Sequence, residues 1–326
     1  MKKLAVVLSC MWLFACDGDE SSTQITVDSG MPTADSQSPT EQADMSDETD
    51  LSQTDASAGT DAISSTDTSV PDAATLAVTV ISQDDDFAQF FDKRVVVFGV
   101  QIVGTSTLPQ AKLLHAAHVM AEYLDNDEDG RADDPAVVAA MVNARSVLVM
   151  AQTPDELESS GLFESSLLFQ YAGQDLYGEE ANEPGRFDAT LEEVLHLISN
   201  YGYAPVYPEA FATEAGTLLS DAMDLARGGR FESVPNTYPD GAWYTYDDQT
   251  CEYECMATEY FYWALTSMLG AQQAPDRCNE ISREWRLCTR EQVEAQDPAV
   301  FELLTDPQYK LPLRLPSGDY RPSAMN

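Results

Sequence analysis

Residues 190–199 read TLEEVLHLIS. Leu191, Val194, Leu195 and Ile198 fall at i, i+3, i+4 and i+7, the spacing of one apolar helix face. A helix is expected from Ala189 to Tyr201. Its other face carries Glu192, Glu193, His196 and Asn200. Glu192 and His196 are one turn apart, so both side chains can reach a single ion. Glu193 is displaced from that line, as a general base would be. A solvated polar face that holds no ion would carry the same residues. Two features favour chemistry. The chain has only 3 His. A single Glu on the tyrosine-rich segment downstream, Glu259, needs a partner if it is buried.

Outward from this helix the pattern is mixed. Arg94 to Val103 (RVVVFGVQIV) is β-branched and reads as one buried strand. Lys112 to Leu124 and Val137 to Val142 read as helices. Ser146 to Ala151 (SVLVMA) reads as a second strand, Thr153-Pro154-Asp155-Glu156 as a helix start, and Ser166 to Tyr171 (SLLFQY) as a third strand. Gly173 to Gly185 reads as a polar loop. Ala210 to Ala226 continues helical, and Ala257 to Leu269 is an aromatic-rich helix. The proline-bearing tail after Asp306 is expected to lie irregularly on the surface. No internal repeat is visible. The expected fold class is α+β, a small sheet packed against a mostly helical, disulfide-stapled second half.

The pattern Glu192-Glu193-Val194-Leu195-His196 resembles the zincin metallopeptidases, whose helix reads His-Glu-x-x-His. The resemblance covers about residues 146–270. It implies a zincin-like fold in which Glu192 and His196 ligate Zn2+ or another divalent metal, and Glu193 is the base that activates water. It places the third ligand on a later helix, where Glu259 in MATEYFYW (256–263) is the candidate. It also implies a peptide or protein substrate laid along a sheet edge at Ser166 to Tyr171, and a hydroxyl from Tyr201, Tyr203 or Tyr207 near the site. The departure is Glu192 in place of the first His. A Glu, Glu, His set is harder and more anionic than His, His, Glu. That lowers the Lewis acidity of the metal and shifts preference away from zinc. Hydrolysis would be slow, or lost with the fold and its groove retained.

A second metal motif stands upstream. Asp125-Asn126-Asp127-Glu128-Asp129-Gly130 puts carboxylates at alternate positions, and Gly130 allows a sharp turn at the sixth. The segment 125–136 resembles an EF-hand-type calcium loop. By that resemblance Asp125, Asp127 and Asp129 supply side-chain oxygens, Arg131 its backbone carbonyl, and Asp133 the ninth position. Ala136 stands where the bidentate Glu is expected, so Asp133 or Asp134 would have to compensate. The role expected of Ca2+ is structural. An acidic turn between helices that binds nothing is the alternative. His115 and His118, with Glu122, could form another metal site, but packing and hydrogen bonding beside the calcium-type loop is the reading preferred for them.

The first residues organise differently. Lys2 and Lys3 precede an apolar run, Leu4 to Ala15, too short to span a bilayer. Leu13-Phe14-Ala15-Cys16 resembles a bacterial lipobox, with Cys16 lipidated and segment 1–16 a signal. Segment 17–75 is rich in Asp, Ser, Thr and Ala, with no Lys or Arg, and is expected to be a disordered acidic tether. Segment 76–326 is expected to be one folded domain. The implied place is exported, lipid-anchored at an outer membrane or cell surface, with no other membrane contact. A net charge of −39 argues against nucleic-acid partners.

Cys251, Cys255, Cys278 and Cys288 remain in the folded part, an even number that suggests two disulfides in any of three pairings. The aromatic stretch Tyr238 to Asp248 could line a groove or pack over a disulfide. No Gly-rich phosphate loop and no Gly-x-Ser-x-Gly setting is present. Two functions follow as expectations: a surface-anchored metallopeptidase-like domain, or a non-catalytic, calcium-stabilised binding or adhesion module.

Overall fold

The computed structural model describes residues 76–323; Cys16, expected from sequence to be lipidated, and the acidic segment 17–75 lie outside the described residues. Five strands form one mixed sheet in sequence order: β1 (Thr79–Val80), β2 (Lys93–Val97), β3 (Val100–Gly104), β4 (Ser146–Ala151) and β5 (Ala172–Tyr177). β1, β2 and β3 pair antiparallel, whereas β3–β4 and β4–β5 are parallel. The fold is α+β, as the sequence pattern implies.

The stretch expected as one strand is a hairpin. Phe98 (φ 49°) and Gly99 (φ 91°) take the two positive-φ positions of its tight turn. Phe at the first of these is an uncommon turn residue, and the apolar run 94–103 hid the reversal. Its side chain is buried, which offsets the backbone cost.

The parallel pairs require crossovers. β3 reaches β4 through α1 (Gln110–Leu124) and α2 (Pro135–Asn143). β4 reaches β5 through α3 (Pro154–Glu158) and a loop. Ser166 to Tyr171 lies in that loop with a short 3-10 turn at Leu168–Gln170, so it is not the third strand. The strand is Ala172–Tyr177, all but its first residue in the segment read as polar loop. Backbone pairing with β4 (Leu148↔Gln174, Met150↔Leu176) holds it there despite its polar side chains. Apolar periodicity does not register such pairing.

One face of the sheet, with Val95, Ile102, Leu148, Met150 and Leu176, packs into the main core of helices. The other face buries Val103, Val147, Val149 and Ala151 against Phe87, Phe91, Leu157 and Leu162. β4 is therefore buried along its whole length, as expected of a central parallel strand.

α4 (Thr190–Ile198) packs on α1 and β5. It runs on through a wide π-type turn, Ser199–Tyr203, into α5 (Ala204–Val206) and then α6 (Pro208–Phe211). Gly202 in that turn meets α2 so closely that a Cβ would stand 2.7 Å from Val137 Cγ1. α7 (Leu218–Arg227) follows, then α8 (Tyr253–Leu269), which is buried on almost all sides. A helix apolar all round belongs in the interior. α9 (Arg277–Glu280), α10 (Arg290–Gln296) and α11 (Pro298–Thr305) complete the second half.

The disulfides pair Cys251 with Cys255 and Cys278 with Cys288. The tail after Asp306 is irregular but not merely superficial, because Leu311 and Tyr320 are buried. Among the described residues no helix is long and apolar enough to cross a membrane.

Candidate metal centre

α4 and α8 pack together and bring Glu192, His196 and Glu259 into one group. One ligand atom from each lies within 4.8 Å of the other two. His196 Nε2 stands 3.6 Å from Glu259 Oε2, and His196 Nδ1 stands 3.6 Å from Glu193 Oε2. His196 is 6% exposed and Glu259 9%. On the polar face of α4, His196 is therefore covered, while Glu192, Glu193 and Asn200 are half-buried. All three residues proposed from sequence as transition-metal ligands meet.

The electrostatics are those of an enclosed anionic site. Burial lowers the His196 pKa, opposed by the nearby Glu192 carboxylate, so the neutral ring is favoured. Burial raises the Glu192 carboxyl above its usual range, and the Glu193 charge adds to this. Burial holds Glu193 well above the usual carboxylate range, with Asp175 and Glu180 pushing the same way. A neutral imidazole carries one N–H. Each ring nitrogen faces a carboxyl oxygen at 3.6 Å, and the neutral ring keeps a lone pair on one of them. His196 Nε2 is enclosed and makes no hydrogen bond. An imidazole lone pair and two carboxyl oxygens brought together in this way form a donor set that fits a divalent ion.

Glu193 lies between His196 and the sheet. Gln174 Nε2 on β5 donates to Glu193 Oε2 at 2.6 Å. The edge strand thus reaches the candidate base directly, which explains a Gln within a strand. Tyr201, Tyr203 and Tyr207 do not supply the expected hydroxyl. Tyr203 donates to Lys310 O at 3.3 Å and Tyr207 to Asp134 Oδ2 at 2.5 Å, while the Tyr201 hydroxyl has no contact that ties it to the trio. The tyrosine at the centre is Tyr262, whose ring meets His196 edge-on with centroids 5.8 Å apart. It lies three residues after Glu259, a helical spacing that the sequence reading passed over.

The calcium-type loop joins α1 to α2. Gly130 has φ 91°, as the tight turn requires. Asp125, Asp127 and Asp133 offer oxygens within 4.8 Å of one another and could hold a metal ion. Asp129 stands outside that trio, and its carboxylate accepts from Arg131 N at 2.8 Å. Asp134 does not replace the missing acid at Ala136. It caps α2 by accepting from Ala136 N and also accepts from Tyr207. Asp125 is fully buried, and burial raises its pKa. It accepts from Gly130 N at 2.8 Å and Tyr320 Oη at 2.5 Å.

The second histidine pair forms no such group. His115 Nε2 is 2.6 Å from Asp188 Oδ2, and Glu122 accepts from Ser317 and Gly318 backbone N–H groups. In the aromatic stretch, Tyr244 packs on Tyr260 and Trp285 in the core, while Tyr238, Asp240 and Asp247 join Arg283 and Arg286 around an open cleft of about 400 Å³.

Fold and site together define an α+β domain with two side-chain groups able to hold metal ions. Comparison with protein-family models, with curated proteins and with solved structures gives no match.

Proposed function

We propose that this chain is an exported, lipid-anchored protein whose folded domain is a metal-dependent, zincin-like peptidase with a structural calcium loop. The observation that carries the peptidase reading is the convergence of Glu192, His196 and Glu259 from α4 and α8, with Glu193 beside them. A divalent ion bound there would supply Lewis-acid polarisation of a carbonyl and favour deprotonation of water.

The chain's own residues would do the rest. Glu193, oriented by Gln174, would accept a proton from water and return it to the departing amine. The edge strand β5, in place of the loop 166–171, would offer backbone groups to an extended peptide. The three-Asp group of the α1–α2 loop would take Ca2+, an oxygen-seeking ion. The apolar run ending at Cys16 and the acidic segment 17–75 support anchorage and a spacer.

A specific observation favours the rival, a non-catalytic binding or adhesion module. His196 and Glu259 are nearly enclosed, and an ion there would be hard for a substrate to reach. Metal analysis and a peptidase assay on the full chain separate the two. One equivalent of a transition metal, lost in His196→Ala, together with cleavage of an unfolded protein, supports the peptidase. Calcium alone, with no cleavage, supports the module.

A further inference from the structure

We propose that the open cleft beside the aromatic stretch binds a short peptide with both termini free, its carboxylate on Arg286 and its ammonium on Asp240. This does not rest on the metal-centre reading. The cleft holds about 400 Å³, a volume in the range of small-molecule sites. Its lining carries both signs of charge, Asp240 and Asp247 with Arg283 and Arg286. The whole chain has a net charge of −39, so the cleft is a charge-balanced site in an acidic protein. Two of its charges pair within the protein and two do not. Arg283 Nη2 stands 2.9 Å from Asp247 Oδ2. Arg286 turns one edge of its guanidinium to the Ala242 carbonyl, Nη1 to O at 2.6 Å. Among the described residues Arg286 has no carboxylate partner, and Asp240 has neither an ion pair nor a side-chain hydrogen bond.

These two unpaired charges belong to one end of the cleft. Residues 239–242 form a turn, with Ala242 N donating to Pro239 O at 3.2 Å and Gly241 at φ 90°. Asp240 stands in that turn, and its closing residue, Ala242, is the one Arg286 holds. Arg286 is thus tied two residues from Asp240, yet the two do not neutralise each other. A ligand with a carboxylate at one end and an ammonium at the other meets both, the carboxylate on the free guanidinium edge. A neutral sugar would meet neither charge, and a plain anion would be repelled by Asp240. The cleft also keeps its shape without a ligand. Thr245 N donates to Glu284 O at 2.7 Å and Arg286 N to Trp243 O at 3.1 Å, which joins its sides. Tyr244 and Trp285, paired between them, are fully buried in the core, so the alternation of extended chain turns Thr245 and Arg286 to the cleft. The Cys278–Cys288 disulfide closes the loop that carries both arginines, and Cys251, two residues past Gln249, is bonded to Cys255 on α8. Both disulfides therefore brace this cleft. A site fixed before binding loses less affinity to ordering.

The test is calorimetric titration of the full chain with L-alanyl-L-alanine, its N-acetyl derivative and its C-terminal amide. The free dipeptide is expected to bind with a Kd below about 1 mM, and each blocked form about 10–100-fold more weakly. Arg286→Gln keeps a donor for the Ala242 carbonyl and should erase the preference for the free carboxylate. Asp240→Asn should erase the preference for the free amine. Thermal unfolding checks that both variants fold. His196→Ala should bind the dipeptide as the wild type does. No saturable binding of the free dipeptide, or equal binding of its blocked forms by the wild type, overturns the proposal whatever the variants do. Loss of binding in His196→Ala would put the peptide at the metal centre and overturn it too. So would binding of maltotriose in place of the dipeptide, which would assign the cleft to sugars.

Discussion

His196 on α4 and Glu259 on α8 face each other across an enclosed space, Nε2 to Oε2 at 3.6 Å. That is longer than a hydrogen bond and close enough for both atoms to reach one cation. Each comes from a helix whose remaining faces are held by core packing, so neither can retreat into water. Glu193, the third carboxylate beside His196, is tied to the sheet instead.

Glu193→Gln keeps an acceptor for Gln174 while removing the proton-carrying carboxylate. If Glu193 is the base, cleavage of an unfolded protein substrate should fall by about 100-fold or more. Bound metal should stay at wild-type content. Thermal stability should hold or rise, because a carboxyl that burial disfavours in its charged form is gone. Metal analysis and a cleavage assay on the same sample check this.

Calcium should stabilise the domain through Asp125, Asp127 and Asp133. At a calcium concentration about 100 times the Kd, linkage gives about 2.7 kcal/mol. For a domain of this size that is a rise in Tm of about 5–10 °C. Asp125→Asn should abolish the rise. The same substitution should expose the C-terminal tail to protease, since Tyr320 donates to Asp125.

Glu180 gives a pH dependence of known sign. Burial pushes its carboxyl up to about 7, from an ordinary 4.5. Between those values the native state holds the proton more tightly than the unfolded chain, so this group makes stability fall as pH rises through that window. Glu180→Gln should therefore match the wild type below about pH 4.5 and exceed it above about pH 7, by at most about 3 kcal/mol. Urea unfolding at pH 4.5 and pH 8 reads the difference.

The Cys278–Cys288 disulfide closes a short loop that carries α9 and leads to Trp285 in the core. Replacing both cysteines with Ser should cost about 2–3 kcal/mol through the freer unfolded chain. Denaturant unfolding of that variant, with and without reductant, measures it. Reductant should destabilise the wild type further, through Cys251–Cys255.

Much of the fold was legible where local pattern and final environment agree. α4, α8 and β4 lie close to where periodicity and β-branching put them, because each buries the face its sequence makes apolar. The misses share a cause. Phe98-Gly99 turns the chain with an atypical residue, and β5 is a strand by virtue of its neighbour β4, not its own composition. At the site, the i, i+4 relation of Glu192 and His196 was visible, and so was the lone Glu259. Tyr262 was overlooked within an aromatic run, although its spacing from Glu259 marks the same helix face. Gln174 carried no local signal at all.

The amino-acid order alone determined the helix that pairs Glu192 with His196 and the acidic loop with its Gly130 turn, because helical spacing and turn preferences act between near neighbours. Tertiary packing alone decided that α8 brings Glu259 to Glu192 and His196 on α4, which of the three disulfide pairings forms, and that the C-terminal tail locks onto the α1–α2 loop. Those are contacts between residues distant in the chain, and their energy comes from shared burial that no single segment encodes.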